Sequence, residues 1–138
     1  MKILTCRKNE TAEYAAQELA KYIRHITRCQ IMPEIVYADT YPTLPCEDTI
    51  VLGLLDELSL STADLSDPFI EDIVDIHVVN GCGYIAGSND RSILIAVYKY
   101  CTSAGCRFIR PGEGGEYIPY CDLCSHSFQY RKKADHLF

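Results

Sequence analysis

The chain has 138 residues, of which 48% are hydrophobic and 23% are charged, and its formal net charge is −6. A chain of this length can bury one ordinary hydrophobic core, which excludes two full-sized domains. The acidic balance, with a sequence pI near 5.1, excludes a nucleic-acid-binding protein, because phosphate recognition requires clustered lysine and arginine.

The lengths of the apolar segments indicate whether the chain is secreted or spans a membrane. The opening "MKILTCRKNE" has an apolar run too short for a signal peptide, and no later stretch reaches the length of a membrane span. We therefore predict a soluble, cytoplasmic protein without a membrane partner.

The first half of the chain predicts one amphipathic helix among short strands. "KILTC" is typical of a strand, and "NETAEYAAQELAKYIRHITRC" has apolar side chains at helical spacing after a candidate N-cap, Asn9. "EIVYA" and "TIVLGL" predict two more strands, separated by a proline-rich loop. The acidic "LDELSLSTADLSDPFIED" that follows predicts a surface excursion.

The second half predicts a hairpin, a helix and a short strand. "IVDIHVVNGCGYIAG" alternates in polarity around Asn80 and Gly81, a pair typical of a tight hairpin turn. The helix after it is capped by Asn89 or Ser88 and stops at Gly105, before the short strand "RFI".

The junction "GYIAGSNDRS" raises the question of anion binding, because a strand that runs into a helix N-terminus can hold a phosphate. It has neither the P-loop pattern nor a Gly-x-Gly-x-x-Gly turn, and Asp90 would repel an anion. We interpret the junction as scaffold.

Eight cysteines occur without a secretory signal, mostly in apolar segments, so we predict that most are free thiols. The exception is "CDLCSH", in which Cys121, Cys124 and His126 have the spacing of half a zinc site. No second pair of ligands follows, so metal binding is a remote hypothesis and no cofactor is predicted.

Several segments, in order, carry a family resemblance. "TAEYAAQELAKYIRHIT", "TIVLG" and "DIHVVNGCGYIAGSNDRSILIAVYKYCTSAGCRFIRPGEGGEYIP" resemble the N-terminal, non-catalytic domain that precedes the catalytic barrel in α-glucuronidases, β-hexosaminidases and related glycoside hydrolases. The resemblance covers Met1 to Pro119. This chain departs from the family at Ser92 and at Lys132, where those domains commonly have glycine.

The resemblance implies an α+β sandwich, in which a mixed, largely antiparallel sheet carries two helices on one face. The accessory domain would span residues 1–120. Residues 121–138 would form a tail or linker toward a catalytic barrel outside this sequence.

The implied function is that of a non-catalytic accessory domain, which braces the barrel of a glycoside hydrolase and borders its substrate cleft. Glycoside hydrolysis requires two carboxyl groups on a rigid frame, and a barrel takes about 250 residues. We therefore predict no catalytic residue in the isolated chain. The acidic candidates are Asp56 and Glu57 after the third strand, and Glu113 and Glu116, which we interpret as solvated loop carboxylates.

Two alternatives remain open. A free-standing carbohydrate- or protein-binding module would need an exposed aromatic platform, for which the candidates are Tyr37, Tyr41, Tyr84, Tyr117 and Tyr120. A small zinc module would use the half-site described above.

The accessory interpretation also predicts an exposed apolar face, because an interdomain interface buries about 600 to 1,500 Å². We expect this face opposite the helices or at an edge near Phe108 to Tyr120. The tail from Cys121 to Phe138 would fold over it, mediate self-association or be poorly ordered. A sheet covered on both faces by residues before Cys121, with the tail packed in a continuous core, would contradict the detached-domain interpretation and favour an independent module.

Overall fold

The computed structural model describes residues 1–44, 46–108 and 115–134. In chain order its elements are β1 (Lys2–Thr5), α1 (Glu10–Ile26), β2 (Glu34–Tyr37), β3 (Thr49–Leu54), β4 (Asp72–Val79), β5 (Cys82–Gly87), α2 (Asp90–Ser103), β6 (Arg107–Phe108), β7 (Glu116–Tyr117), a 3₁₀ turn (Leu123–Ser125) and β8 (Ser127–Ala134).

Six strands form one mixed sheet in the order β2-β1-β3-β5-β4-β8, and β6 and β7 form a separate antiparallel pair. The predicted α+β fold, with two helices packed on one face of a mixed sheet, is confirmed. We expected a largely antiparallel sheet, but three of the five strand pairs described in the main sheet are parallel. β1 pairs in parallel with β2 and β3, and β3 with β5, while β4 is antiparallel to β5 and β8. The reason is that α1 and the loop after β2 each return the chain to the same edge before the next strand begins.

The helices begin and end where the sequence predicts. The side chain of Asn9 accepts a hydrogen bond from the Ala12 N–H at 2.9 Å, and Asn89 accepts one from the Ser92 N–H at 2.8 Å, so each asparagine caps its helix. α2 stops before Gly105, whose φ is +107°. In the described part of the chain, neither helix is long and apolar enough to cross a membrane.

The larger core lies between the helices and the sheet. The apolar side chains of α1 and α2 meet those of β1, β3, β4 and β5 that point to the same face. Fully buried members include Ile3, Leu19, Ile23, Ile50, Leu52, Ile76, Ile85, Ile93 and Tyr100.

The opposite face of the sheet has a smaller core of its own. Its buried members are Val51, Leu55, Leu58, Ile73 and Ala86. The segment 55–71, predicted as a surface excursion, contributes both leucines of this core and covers this part of the sheet. On this face, β3 is therefore covered by the segment 55–71, whereas His77 and Val79 farther along β4 are exposed.

The segment predicted as a tail contains β8, which pairs with β4 over eight residues, from Val79↔Ser127 to Asp72↔Ala134. Phe128 and Tyr130 of β8 pack against the helix-side core. Up to Ala134, therefore, the predicted boundary after Tyr120 does not separate a linker from the domain. The physical reason is the alternation of "SFQY", which suits a half-buried edge strand.

Gly87 permits a close approach between β5 and α2. A Cβ built on Gly87 would lie 2.6 Å from the Ser92 Cβ and 2.7 Å from the Ile93 nitrogen, whereas one on Gly53 would meet the side chain of Tyr41 at 2.9 Å. Helix backbone cannot yield, but a tyrosine ring can move.

We therefore expect Gly87→Ala to lower the free energy of unfolding by about 3 kcal/mol and Gly53→Ala by about 1 kcal/mol. Urea unfolding followed by circular dichroism measures both variants. Equal losses would contradict the tight β5–α2 contact.

Candidate functional site

A cleft of about 500 Å³ lies at the carboxyl edge of the parallel strands. In α/β sheets this edge is where ligands and partners commonly approach. The ends of β1, β3 and β5 and the first turn of α2 form one side of the cleft, and the segment 55–71 forms the other. Its lining residues are Arg7, Leu54, Leu55, Asp56, Thr62, Leu65, Ser66, Pro68, Phe69, Ser88, Asn89 and Asp90.

Arg7 ties the two helix N-termini together inside the cleft. Its Nε and Nη2 donate to the two carboxylate oxygens of Asp90, and its Nη1 donates to Glu57 at 3.0 Å. Asn9, the cap of α1, also donates to Asp90 at 3.0 Å. The hydrogen bond to Asp90 raises the pKa of Arg7, so the guanidinium stays charged. Because these donors are already used by carboxylates, the contacts support the interpretation of the junction as scaffold.

A buried carboxylate, Asp72 at the start of β4, lies behind the cleft. It accepts hydrogen bonds from Ser92 Oγ at 2.7 Å, from Arg91 Nη2 at 2.9 Å and from Asn89 Nδ2 at 3.2 Å. Burial by itself raises the pKa of Asp72, but the hydrogen bonds from Arg91, Ser92 and Asn89 outweigh it and leave the pKa lowered. Ser92, one of the two positions at which the chain departs from the family that it resembles, is therefore a direct partner of Asp72.

The first turn of α2 also holds the loop that precedes β4. Asn89 Nδ2 donates to the carbonyl of Pro68 at 2.7 Å, Arg91 Nη2 to that of Phe69 at 3.3 Å, and Ser88 Oγ to that of Glu71 at 2.7 Å. This bracing presents two large apolar side chains to solvent: Phe69 is 84% exposed and Ile70 is 72% exposed.

The acidic candidates have structural partners. Glu57 accepts from the Leu54 N–H at 2.9 Å as well as from Arg7, and Glu116, in β7, accepts from the Tyr22 hydroxyl at 2.6 Å. Glu116 is thus a bonded carboxylate and not the solvated loop residue expected. Asp56 lines the cleft, and Glu113 lies outside the described residues.

The zinc half-site is not assembled as a ligand set. Cys124 is exposed, the Cys121 N–H donates to the Ile26 carbonyl, and His126 Nε2 lies 2.9 Å from Ser103 Oγ. Ser103 Oγ also donates to the Tyr100 carbonyl at 2.5 Å, so both groups have partners within the fold. Among the described residues, no group of three or more His, Cys, Asp or Glu side chains is placed to hold a metal ion.

The candidate tyrosines do not form one platform. Tyr37, Tyr117 and Tyr120 are exposed, while Tyr41 is partly buried and donates to the Leu52 carbonyl at 2.9 Å. Tyr84 stacks on His77 with ring centroids 5.8 Å apart. Burial and the neighbouring carboxylate of Asp75 raise the pKa of Tyr84 to about 12.

Compared with known proteins, the chain matches no family model and no curated protein.

The chemistry of the cleft was only partly foreseeable from sequence. The caps Asn9 and Asn89 have a local signal, but Arg7, Asp72 and the exposed Phe69–Ile70 pair do not, because their roles depend on partners distant in the chain.

We expect Asp72→Asn to lower the free energy of unfolding by about 2 kcal/mol, because the buried carboxylate that Ser92 and Arg91 bond loses its charge. Asp39→Asn is the control. Asp39 is exposed and its ion pair with Lys8 is 3.6 Å long, so Asp39→Asn should change the free energy of unfolding by no more than about 0.5 kcal/mol.

The same pair has a distinct acid response. Because the folded-state pKa of Asp72 is below its ordinary value of 3.8, its carboxylate stabilises the fold above that pH, and the stabilisation is lost as the pH falls through the folded-state value. The stability gap between wild type and Asp72→Asn should be constant above about pH 5 and should shrink below pH 3.8. A gap independent of pH down to pH 2 would contradict the ionised state of Asp72.

The eight cysteines, all free thiols in the structure, should separate into reactivity classes. Burial raises the pKa of Cys101 well above its ordinary value and that of Cys106 to about 11, whereas Cys29 and Cys124 are exposed. With a chromogenic disulfide reagent at pH 8, we expect Cys29 and Cys124 to react first, and Cys101 and Cys106 only after unfolding. Unfolded, unreduced protein should show most of the eight thiols, and finding almost none would contradict the prediction.

Proposed function

We propose that this chain is a non-catalytic accessory domain of a glycoside hydrolase, which docks against the catalytic barrel and borders its substrate cleft. The family resemblance of residues 1–119 motivates the proposal. The catalytic candidates that the structure describes, Asp56, Glu57 and Glu116, line a cleft or bind structural donors and do not form a recognisable acid–base pair.

The observation that carries the proposal is the braced, exposed pair Phe69 and Ile70. A loop that presents two large apolar side chains while its backbone is bonded to α2 costs little conformational entropy to dock, so it suits a permanent contact. The predicted apolar region between Phe108 and Tyr120 is a second exposed area, with Phe108, Tyr117 and Tyr120 all exposed and residues 109–114 outside the described part.

Chain direction supports the same edge. Ala134 at the end of β8 lies opposite Asp72 at the start of β4, three residues after Phe69. The end of β8 at Ala134 is therefore close to the braced pair. A domain attached there would meet Phe69 and Ile70 without a long linker.

A carbohydrate-binding module is the second candidate. It is favoured by a recess on the open face of the sheet, lined by Leu44, His77, Val79, Cys82, Gly83 and Tyr84. The stacked rings of His77 and Tyr84 cover one face of each other, however, so the pair offers less flat surface to a sugar than a free ring does.

The first test is the reading frame downstream of Phe138. We expect an open frame of about 250 codons that encodes a barrel, whereas a stop codon would favour the independent module. The isolated 138-residue chain should not hydrolyse aryl glycosides or glucuronides. Turnover that Glu113→Ala or Glu116→Ala abolishes would overturn the non-catalytic assignment.

In the longer protein that contains both this domain and the proposed barrel, we expect the two domains to unfold in one calorimetric transition. The double change Phe69→Ser and Ile70→Ser should separate it into two, while the isolated domain keeps its melting temperature. Met32→Ser is the control and should leave one transition. Met32 is exposed and lies just before β2, the outer strand at the far side of the sheet from β8. Separation by the control alone would contradict docking at this loop.

A further inference from the structure

The strand β8 has an open edge, and the hydrogen-bond pattern shows which backbone groups face it. β8 is the last strand of the main sheet and has one neighbour, β4, among the strands that the structure describes. The Asn80 N–H donates to the His126 carbonyl, which makes these residues a hydrogen-bonded pair of the antiparallel ladder.

Hydrogen-bonded pairs repeat every second residue, so Phe128, Tyr130 and Lys132 direct their N–H and C=O groups to β4. The intervening residues, Gln129 and Arg131, direct theirs to the open edge. An edge of this kind is a template for an added strand.

A groove of about 250 Å³ runs between this edge and α2. Its floor is apolar, formed by Val74 and Tyr130 of the sheet and by Ile95 and Tyr98 of α2. Every second side chain of a strand added beside β8 would point toward this groove, because side chains alternate between the two faces of a sheet.

The rim of the groove is positively charged in a protein of net charge −6. Lys99 Nζ lies 5.1 Å from the centre of the Tyr130 ring, and Lys132 is the next residue of β8 on the same face. Neither lysine forms an ion pair with the residues that the structure describes. Asp72 also lines the groove, but its charge is balanced by Arg91.

On the other face of β8, by contrast, Arg131 is already paired with Asp75 at 2.7 Å and with Asp64 at 2.9 Å. The unbalanced charge is therefore on the groove side. It favours an acidic occupant over a second copy of this chain, because β8 of the second copy would bring its own cations, Arg131, Lys132 and Lys133, to the same edge.

We propose that the open edge of β8 binds an extended acidic segment of a partner protein as an added strand, with apolar side chains in the groove and carboxylates beside Lys99 and Lys132. This interaction is separate from the proposed docking at Phe69 and Ile70, and it does not depend on a glycoside hydrolase context.

The test uses an acetylated octapeptide with glutamate, valine, valine and glutamate at odd positions and threonine at even positions. A peptide with lysine in place of glutamate is the matched control. Calorimetry should show that the acidic peptide binds at least about tenfold more tightly than the basic one, and that its affinity falls with added salt. Amide exchange by NMR should show new protection at Gln129 and Arg131, whereas Phe128 and Tyr130 are protected before the peptide is added.

Two variants separate the edge from the charge. Gln129→Pro removes an N–H that faces away from β4, so it leaves the ladder intact and should abolish binding, whereas Gln129→Ala keeps the N–H and should bind like wild type. If Gln129→Pro unfolds, the double change Lys99→Glu and Lys132→Glu carries the test, since it should reverse the preference between the two peptides without loss of fold.

Several results would overturn the proposal. These are no binding at millimolar acidic peptide, equal affinity for both peptides, or binding without protection of the Gln129 amide. A wild-type dimer that Gln129→Pro dissociates would identify a second copy as the occupant and would likewise overturn it.

Discussion

The hydrogen bonding of the buried Asp72 carboxylate is the interaction on which the carboxyl edge of the parallel strands depends. It must be hydrogen-bonded because an unpaired charge inside a protein is costly, and Asn89, Arg91 and Ser92 of α2 satisfy it. One residue thus fixes the start of β4 against the first turn of a helix. The same turn holds the carbonyls of the preceding loop, so the shape of the cleft follows from the need to satisfy this charge.

Arg7 has a similar role at the neighbouring helix. It bridges Asp90 of α2 and Glu57 of the segment after β3, so three separate parts of the chain share one cation. The guanidinium of Arg7 and the carboxylate of Asp90 are thus hydrogen-bonded within the fold. Beside them, the large apolar side chains of Phe69 and Ile70 are exposed, and they are the surface to which docking is proposed.

Local features of the fold were predictable from sequence. Asn9 and Asn89 cap helices because their side chains reach an N–H three residues ahead, and Asn80 and Gly81 turn the hairpin because both adopt positive φ. The family resemblance supplied the fold class. The parallel pairing of β3 with β5 was not foreseen, because it depends on the path of the chain between them.

The misjudged segments share a physical cause. Segment 55–71 is acidic and contains proline, which concealed the burial of Leu55 and Leu58 on the second face of the sheet. The charges of β8 concealed an edge strand, since Arg131 and Lys133 are neutralised by acidic residues more than fifty positions earlier. Long-range charge pairing cannot be inferred from local periodicity.

The position of β8 also has a consequence for biosynthesis. β4 emerges from the ribosome about fifty residues before the strand that covers its outer edge, and "DIVDIHVV" is rich in β-branched residues. Until β8 has been made, the nascent chain exposes an adhesive strand of the kind that recruits chaperones or aggregates. Once β8 is in place, its cations Arg131, Lys132 and Lys133 lie on the outer strand and disfavour pairing with a second copy of the same edge.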